Sequence, residues 1–332
     1  MIRNSRHKFK GTSWVLMATT LCALVVLLGA FTRLVDAGLG CPDWPGCYGH
    51  LTWPKSAESV AQAQALFPEA PVEHDKTWPE MVHRYAAGLL GLVILGLTLA
   101  LWRWSRQSPA QAYPRWHATG LLALVVLQAA FGMWTVTLKL WPQVVTAHLL
   151  GGFTTFSLLW LLYLRLQNRP WSLSTNRHRR LVAMRPLIWL ALVLVVLQIA
   201  LGGWTSANYA ALACTDFPQC HQQWWPAMDF TRAFNLAQGL GPNYLGGLLE
   251  GEARTAIHMS HRIGALLVTL VLLVTLKRLW QIPQTSVRRL ALAIGGLLVL
   301  QLGLGMTNVL ASLPLVVAVA HNGVGDFNRS LD

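Results

Sequence analysis

Four histidines lie within the apolar stretches of this 332-residue chain that we interpret as membrane spans. They are His83, His148, His261 and His321. An ionisable side chain inside a membrane is costly, so it usually faces the interior of a helix bundle and has a partner there. Six other histidines lie in tails, in loops or at the borders of apolar runs, where an imidazole needs no functional explanation.

The four histidines recur because the chain consists of two similar halves. The stretch "LVVLQAAFGMWTV" resembles the later stretch "LLVLQLGLGMTNV", and the offset in numbering between the two equals the offset from His148 to His321. The tetrapeptide "MVHR" around His83 recurs as "MSHR" around His261 at a slightly larger offset, because the second outer loop is longer. Chance similarity between apolar sequences does not explain this match, because His, Cys and Gln repeat at one spacing.

Apolar runs of about 20 residues predict the elements that position these side chains. Each half contains four such runs, an even number, so both halves insert with the same orientation. We therefore predict an all-α integral membrane protein with eight transmembrane helices, arranged as two tandem four-helix bundles related by a pseudo-twofold axis along the membrane normal. The predicted spans are 13–31, 81–102, 118–138, 143–164, 186–206, 256–276, 290–310 and a shorter one at 312–325. The halves are residues 1–165 and 186–332, joined by a basic linker at 166–185.

The net charge of +13 reflects membrane topology. Seventeen of the 26 Lys and Arg residues lie in the N-terminal tail and in segments 103–115, 165–185 and 277–289. The positive-inside rule places these segments in the cytoplasm, and it places the long loops 32–79 and 207–255 outside a plasma (inner) membrane. Attraction to anionic lipid adds to this explanation, so the sequence does not predict nucleic-acid binding.

The positions of the histidines predict haem binding in each half. Each histidine follows the outer end of its predicted helix by 3 to 7 residues, or roughly 5 to 10 Å. The two in each half belong to its second and fourth helices, which can face one another across a four-helix bundle. Two facing imidazoles suit a haem, which supplies four donor atoms itself. Zinc needs three or four protein ligands, and each half offers two histidines well inside the membrane.

Charged residues beside the second-helix histidines suggest additional roles. Arg84 and Arg262 directly follow His83 and His261, so each is a candidate partner for a haem propionate or an interfacial side chain that reaches toward lipid headgroups. Glu80 precedes His83 by one helical turn, whereas the second half has a histidine in this place. We interpret Glu80 as a candidate catalytic carboxylate; the alternative is a helix-end charge favoured by the helix dipole.

Four cysteines form two C-x5-C pairs in the outer loops. The sequences are "GLGCPDWPGCYG", with Cys41 and Cys47, and "LACTDFPQCHQ", with Cys214 and Cys220. Closely spaced cysteines on an extracytoplasmic loop predict disulfides, either as structural links or as redox-active pairs. Between the first pair and the second span, "KSAESVAQAQALF" predicts a short surface helix.

The chain as a whole resembles the haem A synthase family of membrane enzymes. The resemblance rests on "TRLVDAGLGCPDWPGC", "EMVHRYAAG", "TAHLLGG", "MSHRIGA" and "AHNGV", which occur in the family's order. It implies that His83 and His148 bind the substrate haem O and that His261 and His321 bind a haem b cofactor. It also implies oxidation of a ring methyl group of haem O to a formyl group, to give haem A for cytochrome oxidase. Glu80 matches the family's functional carboxylate, and Cys41 and Cys47 match its outer-loop pair.

The resemblance also implies partners, and two other functions compete with it. Haem O synthase, an electron donor and a second copy of the chain are candidate partners. A dihaem electron-transfer protein that reacts with quinol is the main alternative, and a proton-coupled transporter is another. After His321 the chain continues only as "NGVGDFNRSLD", so we expect a short eighth span and weaker support for haem b binding at His321.

Overall fold

The computed structural model describes residues 9–327, and within this range the protein is all-helical with no β-strand. Two isolated β-bridges occur, both in loops. The helices are α1 (Thr12–Leu34), α2 (Ala57–Leu66), α3 (His74–Gln107), α4 (Arg115–Thr137), α5 (Pro142–Gln167), α6 (Thr175–Ala183), α7 (Arg185–Ala207), α8 (Phe230–Ala233), α9 (Gly251–Trp280), α10 (Thr285–Leu310) and α11 (Leu315–Phe327).

Seven of these helices are long and apolar enough to cross a membrane, namely α1, α3, α4, α5, α7, α9 and α10. They coincide with the first seven predicted spans, which confirms a multi-pass membrane protein. Many of their Leu and Val side chains are exposed, as expected where lipid replaces water around the helix. Helix α11 has 13 residues, fewer than a bilayer requires. An eighth transmembrane helix and the two-bundle arrangement therefore remain predictions.

Helices α3 and α9 begin earlier than the apolar pattern indicated. His83 follows the first residue of α3 by nine residues, and His261 follows the first residue of α9 by ten. The apolar runs predicted that each histidine lies 3 to 7 residues from the outer end of its helix. That prediction is therefore wrong for these two helices. Polar residues end an apolar run without ending a helix, and an acidic residue in the first turn, Asp75 in α3 and Glu252 in α9, favours an earlier start.

The chain forms two compact units. The first contains the described residues up to Lys139 together with Gly151–Pro170. Its core is a layer of fully buried apolar side chains from α1, α3, α4 and α5, including Val15, Leu97, Leu121 and Leu159. Because these side chains are β-branched or long aliphatic residues on one face of each helix, they pack the helices closely.

The second unit contains Leu140–Leu150 and the described residues from Trp171 onward. Its apolar core is divided into smaller clusters. One lies where α7 meets α9 near the long loop, and there Trp204 Nε1 donates a hydrogen bond to the carbonyl of Ala233, 2.8 Å away. Another joins the ends of α9 and α10 to Met184. The basic helix α6 is attached to this end, since Arg177 donates to Gln284 Oε1 at 2.7 Å.

The predicted surface helix is confirmed as α2. Ser56 caps its N-terminus, because its hydroxyl accepts a hydrogen bond from the Ser59 N–H while Ser59 reaches back to the cap. Ala63 is fully buried against the cluster that contains Cys41, Cys47 and Met81. Helix α2 therefore packs on the first cysteine loop and on the start of α3.

Candidate functional site

In the first unit, His83 lies against a glycine of the neighbouring helix. A Cβ atom added at Gly29 of α1 would be 2.9 Å from His83 Cε1 and 3.3 Å from Nε2. The Nδ1 atom of His83 is buried without a hydrogen-bond partner, although the ring lies near the Val25 carbonyl. Gly29 therefore provides the space that lets this imidazole approach α1.

The second unit repeats this contact. A Cβ atom added at Gly202 of α7 would be 3.3 Å from His261 Cε1. The offset in numbering from Gly29 to Gly202 equals the offset from His148 to His321, so the glycine belongs to the internal repeat. The two histidines that the repeat predicts to be equivalent are thus held by equivalent helix pairs, α1 with α3 and α7 with α9.

The fourth-helix histidine of the second unit also packs on a glycine. A Cβ atom at Gly305 of α10 would be 3.2 Å from His321 Cε1. Gln301 Nε2 donates to the His321 carbonyl at 3.0 Å. His321 Nδ1 is buried and makes no hydrogen bond of good geometry, although the ring lies near the Gln301 backbone. His321 is close enough to His261 to influence it electrostatically. The binding of one haem by both histidines remains a prediction from the repeat.

His148 belongs to a different unit from His83. It is half-buried in α5, and its segment Leu140–Leu150 packs with the second unit. There Leu149 Cδ2 and Thr146 Cγ2 lie 3.0 and 3.3 Å from a Cβ atom added at Gly203. The pairing of His83 with His148 therefore remains a prediction from the repeat.

Both predicted disulfides are present. Cys41 is bonded to Cys47 and Cys214 to Cys220, with Cα–Cα distances of 4.8 and 5.0 Å. In each loop the aspartate two residues after the first cysteine closes the turn. In the second loop, hydrogen bonds from the N–H groups of Gln222 and His221 lower the pKa of the Asp216 carboxyl group below its ordinary value.

Tyr48 packs against the first cysteine loop. In that loop Asp43 occupies the position that Asp216 has in the second loop. Asp43 accepts hydrogen bonds from the N–H groups of Tyr48 and Gly49, at 2.6 and 2.8 Å. Burial, followed by the carboxylates of Glu73, Glu80 and Asp43, raises the pKa of the Tyr48 phenol. The loop is therefore built around a buried neutral phenol.

The arginines beside the histidines bind the cysteine loops. Arg84 donates to the carbonyls of Asp43 and Gly46 at 2.9 and 2.5 Å. Arg262 donates to the carbonyls of Asp216 and Gln219, each at 2.8 Å. These contacts were missed in the sequence, although the repetition of both the arginine and the cysteine loop in each half was a signal for them. A role toward a haem propionate remains a prediction, and it would have to coexist with these bonds.

Glu80 joins the same network in the first unit. Its side chain is buried, with Oε2 accepting from the Cys41 N–H at 2.8 Å and Oε1 paired with Arg84 at 2.5 Å. The corresponding residue of the second unit, His258, is also buried, and its Nδ1 lies 2.9 Å from the Ala210 carbonyl. Among the described residues, a carboxylate thus links helix, arginine and disulfide loop in the first unit and not in the second.

One further polar contact was not anticipated from the sequence. Gln198 Nε2 lies 3.0 Å from His261 Nδ1 and donates to the His261 carbonyl at 2.9 Å. The signal was a glutamine inside the α7 span whose counterpart in α1 is Val25. Within residues 9–327, no group of three or more His, Cys, Asp or Glu side chains is arranged to hold a metal ion.

Comparison with known proteins identifies the family. The model of the COX15-CtaA family, described as cytochrome oxidase assembly protein, matches residues 12–327. This chain belongs to that family. The match covers both units and all four histidines of the repeat, so it extends over nearly the whole described chain.

Three curated relatives of this chain share the name "Heme A synthase". "Heme A synthase" of Shewanella oneidensis is 46% identical over 94% of this chain and 91% of its own length. "Heme A synthase" of Rhizorhabdus wittichii is 27% identical over 94% and 89%, and that of Beijerinckia indica is 29% identical over 95% and 90%. The chain is therefore similar along nearly its full length to proteins named for haem A synthesis.

Proposed function

We propose that this protein is a haem A synthase, an oxidoreductase that converts a ring methyl group of haem O to a formyl group and so supplies haem A for cytochrome oxidase. Membership of the COX15-CtaA family and the name shared by the relatives support this function. The observation that carries it is the duplicated packing of a histidine ring on a glycine, at Gly29 and at Gly202. Half-buried imidazoles on neighbouring helices are suitable donors for a haem iron.

The proposed reaction is a four-electron oxidation. A methyl group and one water give a formyl group, four protons and four electrons, with an alcohol midway. A haem in the second unit, when bound, supplies a redox centre through which electrons can pass. The protein must therefore hold the substrate, supply an acceptor for the released protons and connect the substrate to that redox centre.

The second unit fits a resident haem b held by His261 and His321. Their rings lie within electrostatic range of each other. Gly202 and Gly305 each leave space beside one ring. His321 Nδ1 is buried and makes no hydrogen bond of good geometry, although the ring lies near the Gln301 backbone. Two nitrogen donors suffice for haem, since the macrocycle supplies the other four.

In the first half, His83 and His148 bind the iron of the substrate haem O. The assignment rests on their equivalence to His261 and His321 in the internal repeat. Glu80 provides a carboxylate one helical turn from His83, and it acts as the acceptor for protons released from the substrate methyl group. Its bonds to Arg84 and to the Cys41 N–H orient it.

The topology follows from charge and from the repeat. The chain crosses the bacterial inner membrane eight times as two four-helix bundles, with its N-terminus and the linker 166–185 in the cytoplasm. Both disulfide loops then lie on the outer side, where oxidising conditions maintain them. Haem O synthase and an electron donor are candidate partners: a donor is needed where dioxygen supplies the formyl oxygen, whereas an acceptor for the four electrons is needed where water supplies it. A homo-oligomer is a further assembly consistent with a membrane enzyme.

Coexpression with a haem O synthase tests the proposal. Haems extracted from the purified chain should include haem A, or its alcohol intermediate, when separated by chromatography. His83→Ala should abolish product, whereas His74→Ala should not, because His74 is an exposed residue at the start of the same helix. Haem O that persists without product in the wild-type chain would refute the synthase and favour a dihaem electron-transfer protein.

A further inference from the structure

A groove lies where the end of α3 meets the start of α4 in the first unit. Its volume is about 660 Å³, within the range of roughly 300 to 1,000 Å³ that is typical of small-molecule sites. Along α3 the lining begins with Leu99, continues with Trp102 and ends with Arg103 and Arg106. The groove is therefore apolar toward the middle of the span and cationic toward the end of the helix.

Hydrogen bonds and an aromatic contact fix the walls of the groove. Trp102 Nε1 donates to Thr119 Oγ1 at 3.0 Å. The guanidinium carbon of Arg115 lies 4.7 Å from the centroid of the Trp102 ring, and its Nη1 atom donates to Ser105 Oγ at 3.2 Å. Because these contacts join α4 to the end of α3, the protein itself sets the shape of the groove.

The two arginines of the groove have no acidic counterpart among the described residues. Arg103 and Arg106 are exposed and lie one helical turn apart on one face of α3. Within residues 9–327, no carboxylate forms an ion pair with either side chain. The sequence contributes to this, since it contains no Asp or Glu between Met81 and Thr215. A bound anion would therefore relieve the repulsion between the two guanidinium groups.

The second half repeats the arginine–tryptophan contact without these two cations. Trp280 and Arg288 are the repeat counterparts of Trp102 and Arg115, and the Arg288 guanidinium lies 5.5 Å from the Trp280 ring centroid. Helix α9 ends at Trp280, whereas α3 continues to Gln107. The groove arginines thus belong to a helical extension of the first half. The shared contact is explained by packing, and the additional cations need another explanation.

We propose that this groove binds the anionic headgroup of a phospholipid, with its phosphodiester on Arg103 and Arg106 and an acyl chain beside Leu99. The planar fork of arginine matches phosphate oxygens. Leu99 is 62% exposed one turn deeper in the span, where hydrocarbon surrounds the helix. Trp102 is of the type enriched at the boundary between membrane and water. A soluble anion would use the arginines alone, so the apolar end favours a lipid.

Native mass spectrometry of the full-length chain in detergent tests this site. Phosphatidylglycerol is added over a concentration series, and the Kd of the first bound lipid is measured. The wild-type chain should bind phosphatidylglycerol more tightly than zwitterionic phosphatidylcholine. Arg103→Gln combined with Arg106→Gln should weaken phosphatidylglycerol binding by about 10- to 100-fold, as expected for two cations near a lipid headgroup. The corresponding double lysine variant should show intermediate affinity, because it keeps the charge without the fork.

Arg278→Gln combined with Arg289→Gln is the matched control. It removes the same charge from exposed arginines at the corresponding end of the second half, and it should leave the affinity close to the wild-type value. Equal weakening in both double glutamine variants, or unchanged affinity in the groove variant, would overturn the proposal. Equal binding of the two lipids by the wild-type chain would also overturn it. Inorganic phosphate should not displace the lipid at equal concentration, and displacement would instead show a site for a soluble anion.

Discussion

The two halves of the chain share the features that hold a histidine and differ in the polar groups beside it. Each has a glycine beneath the ring, an arginine in the next position and a disulfide loop whose carbonyls accept from that arginine. At one position the first half has Glu80 and the second has His258; at another, the first has Val25 and the second has Gln198. The common features position a histidine in each half, and we propose that the differences determine the chemistry of each half.

Two kinds of polar side chain can therefore be distinguished in these membrane helices. Arg84 and Arg262 satisfy loop carbonyls in both halves, so their contacts are structural. Glu80 has a counterpart of different charge, and Gln198 has an apolar one. A costly polar group that only one copy of a duplicated fold retains is better explained by a task of that copy than by stability.

The largest effect on haem content should come from removing one histidine at a time, His261 in one variant and His83 in another. His261→Ala should lower occupancy by the resident haem more than the roughly 10- to 100-fold loss that follows removal of a residue bonded to a metal ligand, because the iron ligand itself is lost. His83→Ala should retain that haem. Pyridine haemochromogen content per chain, without haem O synthase, measures both. Full haem content in His261→Ala would contradict the division of labour between the halves.

The next effect concerns the position at which the halves differ in charge. Glu80→Gln should reduce conversion of haem O by about 100-fold or more, as expected for loss of a general base. His258→Gln should leave conversion near the wild-type value, because His258 contacts the Ala210 carbonyl. Extraction and chromatography of haems give the product per chain. Wild-type conversion by Glu80→Gln would show that Glu80 has only a structural role.

A smaller effect should follow from replacing the arginines by lysine. Each lost hydrogen bond to a charged group is worth about 1.5 to 3 kcal/mol, and lysine cannot reproduce the planar fork of arginine. Arg84→Lys should loosen its loop more than Arg262→Lys, since it also weakens the ion pair with buried Glu80. Hydrogen–deuterium exchange of the peptides that contain the two disulfides measures the difference. A larger increase in exchange of the second loop in Arg262→Lys than of the first loop in Arg84→Lys would contradict this order.

Much of the scaffold was predictable because its signals are local or periodic. Seven of the eight spans predicted from apolar runs coincide with long helices, C-x5-C spacing predicted both disulfides, and the repeat predicted which histidines are equivalent. The early start of α3 was not predictable from hydropathy, because the polar residues from His74 to Glu80 end an apolar run while remaining helical. Helix geometry persists where the surroundings change from lipid to a polar loop.

The polar contacts were less predictable because they depend on the path of a loop or on an adjacent helix. The direction of the carbonyls of Asp43 and Gly46 is set by the folded loop, so the role of Arg84 could not be inferred from its position after His83. The contact between α7 and the histidine of α9 required aligning α7 with α1 position by position, which would have revealed the apolar residue that replaces the glutamine.

The smallest predicted effect is a difference in the response of the two loops to pH. The raised pKa of Tyr48 means that the folded first loop favours the neutral phenol. Its contribution to stability is complete below the unfolded value of about 10 and is lost as pH rises through the folded value. The lowered pKa of Asp216 means that the folded second loop favours the ionised carboxylate, which contributes to the stability of that loop. That stability is present above the unfolded value of about 3.9 and is lost as pH falls through the folded value.

The first loop should therefore loosen in alkali and the second in acid. Hydrogen–deuterium exchange, corrected for the intrinsic dependence of exchange on pH, follows each loop separately. Tyr48→Phe should remove the alkaline response of the first loop, and Asp216→Asn should remove the acid response of the second. If the second loop loosened in alkali as well, ionisation of Tyr48 would not be the cause, because His221 stands in its place there.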